Sequence, residues 1–291
     1  MLNDPAFSRH LFTAMNLITK ISEQLSETVA DIKSQERDYE KAREELAPFR
    51  RLADIFVAKH FGVVVNNHSL SIIANHLVYG SGDLSAPEKY ILESVNEIAN
   101  KWNFFHWELE FFDPLLTDKG FNVVIGNPPY DELSEVASGR PVDEKEFFAS
   151  TPAYTNAITG RVNLYRLFIS KALTILVENG YHSFIVPMSL LGDRFTFELR
   201  RDLLIRTDFI QIEAFPQKDD PNNRVFVDAK LPTCIYLIQN CIAKKGLLIR
   251  IHPGKDIVDD SPSCKLTTNQ IMQFDPENLC IPQITQREWD I

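Results

Sequence analysis

The 291-residue sequence has no apolar run approaching the ~20 residues that a membrane-spanning helix needs, and its start lacks a secretory signal pattern. Both absences argue against a membrane-embedded or secreted protein. Cysteine is scarce: Cys234, Cys241, Cys264 and Cys280 show neither CxxC nor zinc-site spacing. They read as reduced, buried thiols, and the expectation is a cytoplasmic protein. The seven histidines are scattered and offer no metal-ligand pattern. Positive charge is short as well, with 30 Lys and Arg against 40 Asp and Glu, a formal net charge of −10. A chain that wraps nucleic acid over its whole surface needs the opposite balance, because Lys and Arg make the phosphate contacts. A local basic face is still compatible with that sum. The remainder, 44% hydrophobic and 24% charged, is ordinary for one or two globular domains.

The chain is organised around residues 121–130, FNVVIGNPPY. Val123, Val124 and Ile125, preceded by Phe121 and closed by Gly126, read as a buried parallel strand. Asn127-Pro128-Pro129-Tyr130 then ends it. Two prolines cannot donate to a ladder and they fix φ, so the chain must leave the sheet rigidly extended. Such a turn, at the carboxyl end of a parallel strand, is where open α/β sheets keep their ligand sites. The Asn127 amide oxygen and the Pro128 carbonyl offer two acceptors to an –NH2 group, and Tyr130 offers a face for a planar ring. An exocyclic amine is nearly planar because its lone pair is delocalised. Two acceptors on its hydrogens favour a tetrahedral nitrogen and free that lone pair for attack on an electrophilic methyl. The plainer reading is an ordinary Asn-Pro-Pro turn.

Ahead of this motif the pattern is helical. Ile18, Ile21, Leu25, Val29 and Ile32 recur at three- and four-residue steps within residues 14–61. Pro48 is expected to break the run and start a second helix that Gly62 closes. The apolar stripe suits either a coiled-coil partner or an antiparallel helix packed within its own domain. Further helices are expected at 70–79 and 87–102, the second with Ser85 as cap and Glu88 facing the helix dipole. After the motif, residues 131–160 read as a loop beside the site, with Tyr154 and Arg161 as candidates for DNA contact. A helix is expected over 162–178 with Gly180 as its cap. Strands follow at 183–187, 209–214 and 233–237, with a helix through Leu199 and Leu203 between the first two. Residues 247–252 form a further strand candidate. This alternation is an α/β signature.

FNVVIGNPPY resembles motif IV of the γ class of adenine-specific, amino-group DNA methyltransferases. The Phe105-His106-Trp107 and Glu110-Phe111 segment is similar to the stretch before the catalytic strand in type IIG restriction-modification enzymes. The Asn-Leu-Tyr-x-x-Phe at 163–168 and the Asn-Gly-x-x-x-x-Ile-Val-Pro at 179–187 arrive in that family's order, covering roughly residues 104–240. Asn122 departs from the family's frequent Asp. The resemblance implies Asn127, Pro128, Pro129 and Tyr130 as catalytic residues, Asn163 near the adenine of S-adenosylmethionine, and an aromatic that stacks on an extruded base. Phe226 is the first candidate for that stacker and Phe215, in AFPQK, is its rival; either also suits a strand-end core position. Base extrusion is needed because an amine inside a duplex cannot reach a buried methyl donor.

In that family's order a glycine-rich loop for S-adenosylmethionine precedes motif IV, and none follows a strand before residue 121; Gly80-Ser81-Gly82 follows a helical pattern instead. The expected architecture is therefore a partial Rossmann-like methyltransferase sheet of α/β class behind an all-helical region. Residues 1–103 would be the helical insertion and 104–245 the second half of the catalytic domain. Residues 246–291 would begin a linker to a DNA-recognition domain. Such a chain, read as a fragment, would dimerise through its exposed sheet edge, be inactive alone, and show little or no S-adenosylmethionine binding by calorimetry. In the full-length protein it would act on double-stranded DNA within a restriction-modification or phage-defence system. Two other readings remain: methylation of an amine in protein glutamine or RNA, and a non-catalytic remnant that offers its helices to a partner.

Overall fold

The computed structural model describes residues 5–134, 144–242 and 246–291. It divides into two compact units, Met1–Asp118 and Lys119–Ile291.

In the first unit, α1 (Pro5–Glu23) and α2 (Val29–Ala58) form an antiparallel hairpin. Phe7 meets Phe49 with ring centroids 4.8 Å apart, His10 meets Glu45 at 2.6 Å, and Lys20 meets Asp38 at 2.6 Å. One partner's number falls as the other's rises, which fixes the direction. The chain reverses at residues 24–28. There the Thr28 hydroxyl accepts from the Asp31 amide (3.2 Å) and the Asp31 carboxylate accepts from the Thr28 amide (2.8 Å), closing a capping box.

The break expected at Pro48 is absent, because α2 runs through it. Ala42, Leu46, Phe49, Leu52 and Ile55 are buried on both sides of the proline. At ~1.5–3 kcal/mol for each large side chain, that continuous face outweighs the ~3 kcal/mol cost of an interior proline. The reversal instead falls inside the apolar stripe read from the sequence, so Leu25, Val29 and Ile32 are exposed. Of the two readings of that stripe, α1 and α2 follow the one in which the helices pack within their own unit. Helices α3 (Asn67–Tyr79) and α4 (Ala86–Trp102) lie where the periodicity predicts them. Ile73 and Val95 pack against Leu52 and Ile55. Ser85 occupies the N-cap of α4, but its hydroxyl donates to the Glu88 carboxylate, which also accepts from Ser69 at 3.0 Å. The short α5 (Trp107–Glu110) follows, with His106 Nε2 2.7 Å from the Asp54 carboxylate.

Among the described residues, the second unit carries a six-stranded mixed sheet in the order β1–β2–β4–β3–β5–β6. The strands are β1 (Phe121–Gly126), β2 (Leu176–Pro187), β3 (Asp208–Phe215), β4 (Thr233–Gln239), β5 (Leu247–Ile251) and β6 (Ser263–Leu266). The β1/β2 and β3/β5 pairs are parallel and the others antiparallel. Thus β5 and β6, in the stretch expected to begin a linker, belong to the same sheet. Helices α6 (Glu144–Ser150), α7 (Leu164–Thr174), α8 (Phe197–Arg206), α9 (Thr268–Phe274) and α10 (Gln286–Trp289) complete this unit. Ile169, Leu199, Leu203, Ile212, Tyr236 and Ile249 are fully buried in its core.

The stretch 131–160, expected as a loop, carries α6 and a 3-10 turn at Pro152–Tyr154, because Phe148 packs against Ala157 and Val162; residues 135–143 lie outside the described residues. Two further expectations need correcting. The helix expected over 162–178 ends at Thr174. Ile175 and Leu176 keep the helical spacing, but the Ile175 carbonyl accepts from the Phe121 amide at 2.8 Å and Leu176 pairs with Phe121 in the sheet. Register resumes at Val123 and Tyr181, so residues 177–180 loop out opposite Asn122. Asn179 takes φ 63°, and a Cβ on Gly180 would stand 3.0 Å from the Asn122 carbonyl oxygen. Gly180 therefore permits a close backbone approach and caps no helix. The second correction concerns β1, which is parallel as expected but not buried. Among the described residues it has a neighbour on one side only, and Val123 and Ile125 are 59% and 77% exposed, while Val124 faces the core.

His182, on β2, is fully buried against Phe184 (ring centroids 4.3 Å), with its Nε2 3.2 Å from the Tyr236 hydroxyl. Burial pulls its pKa down from 6.5 to about 3. An unfolded chain takes up this proton near 6.5 and the folded chain only near 3. Stability contributed here is complete above the upper value and is lost as pH falls through that window. The urea midpoint should drop between neutral pH and about pH 4, and His182→Phe should flatten most of that slope. An unchanged slope in the variant would assign the acid sensitivity to other groups.

Candidate active site

β1 delivers Asn127 to the carboxyl end of the sheet, where the Asn-Pro-Pro-Tyr turn leaves it. Asn127 is exposed, Pro128 buried, Pro129 exposed and Tyr130 half-buried. Burial of Pro128 anchors the corner and leaves the Asn127 amide free to meet a ligand. Tyr130 turns back over the sheet, its hydroxyl donating to the Ile185 carbonyl of β2 at 2.9 Å. Its ring meets Tyr165 edge-on (centroids 6.4 Å, 86°) and Phe226 edge-on (5.8 Å, 77°). Removal from water pushes the Tyr130 phenol well above its ordinary pKa, and the nearby Cys234 adds to this. Tyr165 is pushed up to about 12 by burial, partly offset by its Ser189 partner at 3.0 Å. Both phenols stay neutral near pH 7, each with its hydroxyl in a hydrogen bond.

The chain after the turn is pinned to the start of α7. Leu164 donates its amide to the Asp131 carbonyl (2.9 Å), and Leu133 donates to Val162 (2.6 Å). Asn163 sits at the N-cap of α7 and its side-chain amide donates to the Tyr130 carbonyl at 3.4 Å. The structure thus brings Asn127, Pro128, Pro129, Tyr130, Asn163 and Phe226 to one end of the sheet. Phe226 arrives on the irregular stretch between β3 and β4, with its ring partly open to solvent. Phe215 does not join them. It ends β3 at 2% exposure with its ring stacked on His252 (4.8 Å, 25°). His252 is itself held by Glu213 at 2.7 Å and Ser261 at 2.8 Å. A ring committed to that core has no face left for a base.

Beside the turn lies a cavity of about 330 Å³ whose walls include Glu132, Asn163, Tyr165, Ser189, Asp193 and Arg194. The part played by the segment after β2 was not expected from the sequence, although Pro187 marks the strand end that releases it. Tyr165 belongs to the Asn-Leu-Tyr run, but nothing in the sequence says which face its ring presents. Of the residues weighed for DNA contact, Arg161 reaches this cavity. Tyr154 packs instead against Phe148 of α6, with centroids 5.0 Å apart.

Comparison with known proteins agrees with the resemblance. A type II methyltransferase of Thermus thermophilus, M.TthHB8I, is 34% identical over 116 residues, covering 36% of this chain and 26% of its own length. RM.MjaORFECS2P of Methanocaldococcus jannaschii, named a type II restriction enzyme and methyltransferase, is 27% identical over 149 residues. That match covers 51% of this chain and 11% of the relative. The chain therefore spans about a quarter or less of these relatives. Among solved structures, a type I restriction-modification methyltransferase subunit from Streptococcus thermophilus aligns with 15% identity and a TM-score of 0.41, covering 74% of this chain and 51% of that one. The DrdV–DNA complex aligns with 18% identity and a TM-score of 0.37, covering 49% and 17%. The family model described as Eco57I restriction-modification methylase matches residues 10–220, and the chain belongs to that family.

Proposed function

We propose that this chain carries the target-amine side of an S-adenosylmethionine-dependent methyltransferase that modifies the 6-amino group of adenine in DNA, within a restriction-modification or phage-defence system. The observation that supports this most is the exposed Asn127 amide beside the buried Pro128, flanked by the rings of Tyr130 and Phe226. In this reading the Asn127 side-chain oxygen and the Pro128 carbonyl each accept one amino hydrogen. The nitrogen pyramidalises, and its lone pair leaves conjugation with the ring and becomes nucleophilic. Because these acceptors are fixed by a proline turn, they need little reorganisation as charge develops on the amine. Phe226 and Tyr130 recover part of the cost of unstacking the base.

Among the described residues, no glycine-rich loop follows a strand on the N-terminal side of Asn127. In this reading the residues named above act on the amine of the target base.

Phe226→Ala in the intact enzyme should weaken adenine methylation by about 5- to 150-fold in kcat/KM, the worth of ~1–3 kcal/mol of base stacking. Phe215→Leu should change melting temperature more than kcat/KM. Mass spectrometry of nucleosides from the methylated DNA identifies the modified position. Label found only in protein glutamine or in RNA would replace adenine DNA as the substrate.

A further inference from the structure

The cavity beside Tyr130 is lined by three arginines. Arg194 is exposed, lies over the Phe195 ring at 4.6 Å, and pairs with no carboxylate among the described residues. The Arg161 side chain is 78% exposed and reaches Glu132 only at 4.0 Å. Arg166 is buried in the wall, where its terminal nitrogens donate to the carbonyls of Thr159 (3.0 Å) and Arg161 (2.7 Å). Its Nε is buried with no acceptor among the described residues. Among the described residues two carboxylates oppose these three cations, Glu132 and Asp193, and Asp193 is already committed to the Phe195 amide at 2.7 Å. The surplus is positive in a chain whose formal charge is −10. The hydroxyls of Tyr165 and Ser189, bonded to each other at 3.0 Å, leave one O–H between them for the same wall.

We infer that this cavity holds a DNA backbone phosphate next to the extruded nucleotide, with Arg194 and Arg161 as its ligands. The inference rests on the reading that the Asn127 turn takes a base. Planar guanidinium groups match the oxygens of a phosphate two at a time. The contact with Phe195 orders the Arg194 plane before any ligand arrives. Asn163 lines the cavity and also binds the Tyr130 carbonyl, so cavity and turn share a wall. A base against Tyr130 and Phe226 therefore has its own phosphate one sugar away.

The test compares 2′-deoxyadenosine with 2′-deoxyadenosine 3′,5′-bisphosphate by amide NMR titration of this chain, following Tyr130 and Asn163. The bisphosphate should bind at least about tenfold more tightly, the worth of a charge-assisted contact. An Arg161→Ala/Arg194→Ala double variant should erase that gain and leave nucleoside affinity unchanged. Both side chains are exposed, so thermal unfolding should match the wild type. Equal affinity of the two ligands in the wild-type chain would overturn the inference. So would inorganic phosphate binding as tightly as the bisphosphate, which would make this a free-phosphate site. Arginine-dependent binding of the bisphosphate, together with a nucleoside that perturbs nothing at Asn127 or Tyr130, would keep the phosphate site and sink the base reading.

Discussion

Asn127→Ala lowers kcat for adenine methylation in the intact enzyme by about 10²–10³ while the melting temperature stays put. The magnitude is that of deleting one preorganised hydrogen-bonding group from a reacting centre. The constancy of the fold follows from exposure, since Asn127 is solvent-facing and the corner is anchored by Pro128 below it. The variant keeps the Pro128 carbonyl and the Tyr130 ring, so substrate should still dock and KM should move far less than kcat. Asn127→Asp retains an acceptor oxygen and should keep measurable transfer. Single-turnover rates separate the chemical step from product release. Wild-type rates in Asn127→Ala would remove the amide from the mechanism and with it the proposed role of the turn.

The largest expected effect on stability comes from Arg200. Its side chain is fully buried on α8, and burial lowers its pKa from the ordinary guanidinium value. One face binds the segment after β2, through the Leu190 carbonyl (2.9 Å), the Asp193 carbonyl (3.1 Å) and the Thr196 hydroxyl (2.6 Å). The other binds the C-terminal segment through the carbonyls of Asn278 (3.2 Å) and Leu279 (2.9 Å). Arg200→Met would fill much of the volume but strand several buried acceptors at once. A cost of about 3–5 kcal/mol is expected, since each orphaned group costs roughly 1–3 kcal/mol and the acceptors relax in part. For a unit of this size that is a fall of roughly 6–20 °C in melting temperature. Arg200→Lys should recover only a fraction, because an ammonium cannot reach both segments. A methionine variant that melts with the wild type would show the two segments to be held by packing alone.

Local chemistry made much of this architecture readable in advance. Val123, Val124 and Ile125 announce β1, the double proline announces its end, and Ser85 with Glu88 marks the start of α4. Failures came where tertiary burial outvoted a local rule. Pro48 looks like a helix breaker until α1 is present to cover the face it interrupts. Ile175 and Leu176 extend a helical spacing that only pairing with Phe121 cancels. β6, α9 and α10 left no clear pattern, since they are short and become regular through contact: β6 with β5, α9 with α8, and α10 with β6 and Phe274. At the candidate site, Asn127, Tyr130 and Asn163 lie within or near recognisable motifs and Phe226 is the first aromatic candidate from its place before β4, whereas the burial of its rival Phe215 under His252 left no sequence signal. The cavity wall from the segment after β2 left almost no sequence signal, because backbone carbonyls gripped by Arg200 shape it.

The proline corner hangs from the outermost ladder of the sheet. β1 is fastened on one flank by β2, and the corner itself by the Tyr130 hydroxyl on Ile185 and the Asn163 amide on the Tyr130 carbonyl. Central strands such as β4 are gripped on both flanks. In hydrogen–deuterium exchange, the amides of β1 should thus open in a sub-global event well before those of β4 give way. Anything that adds a second flank to β1 would slow that opening and stiffen the corner at a distance.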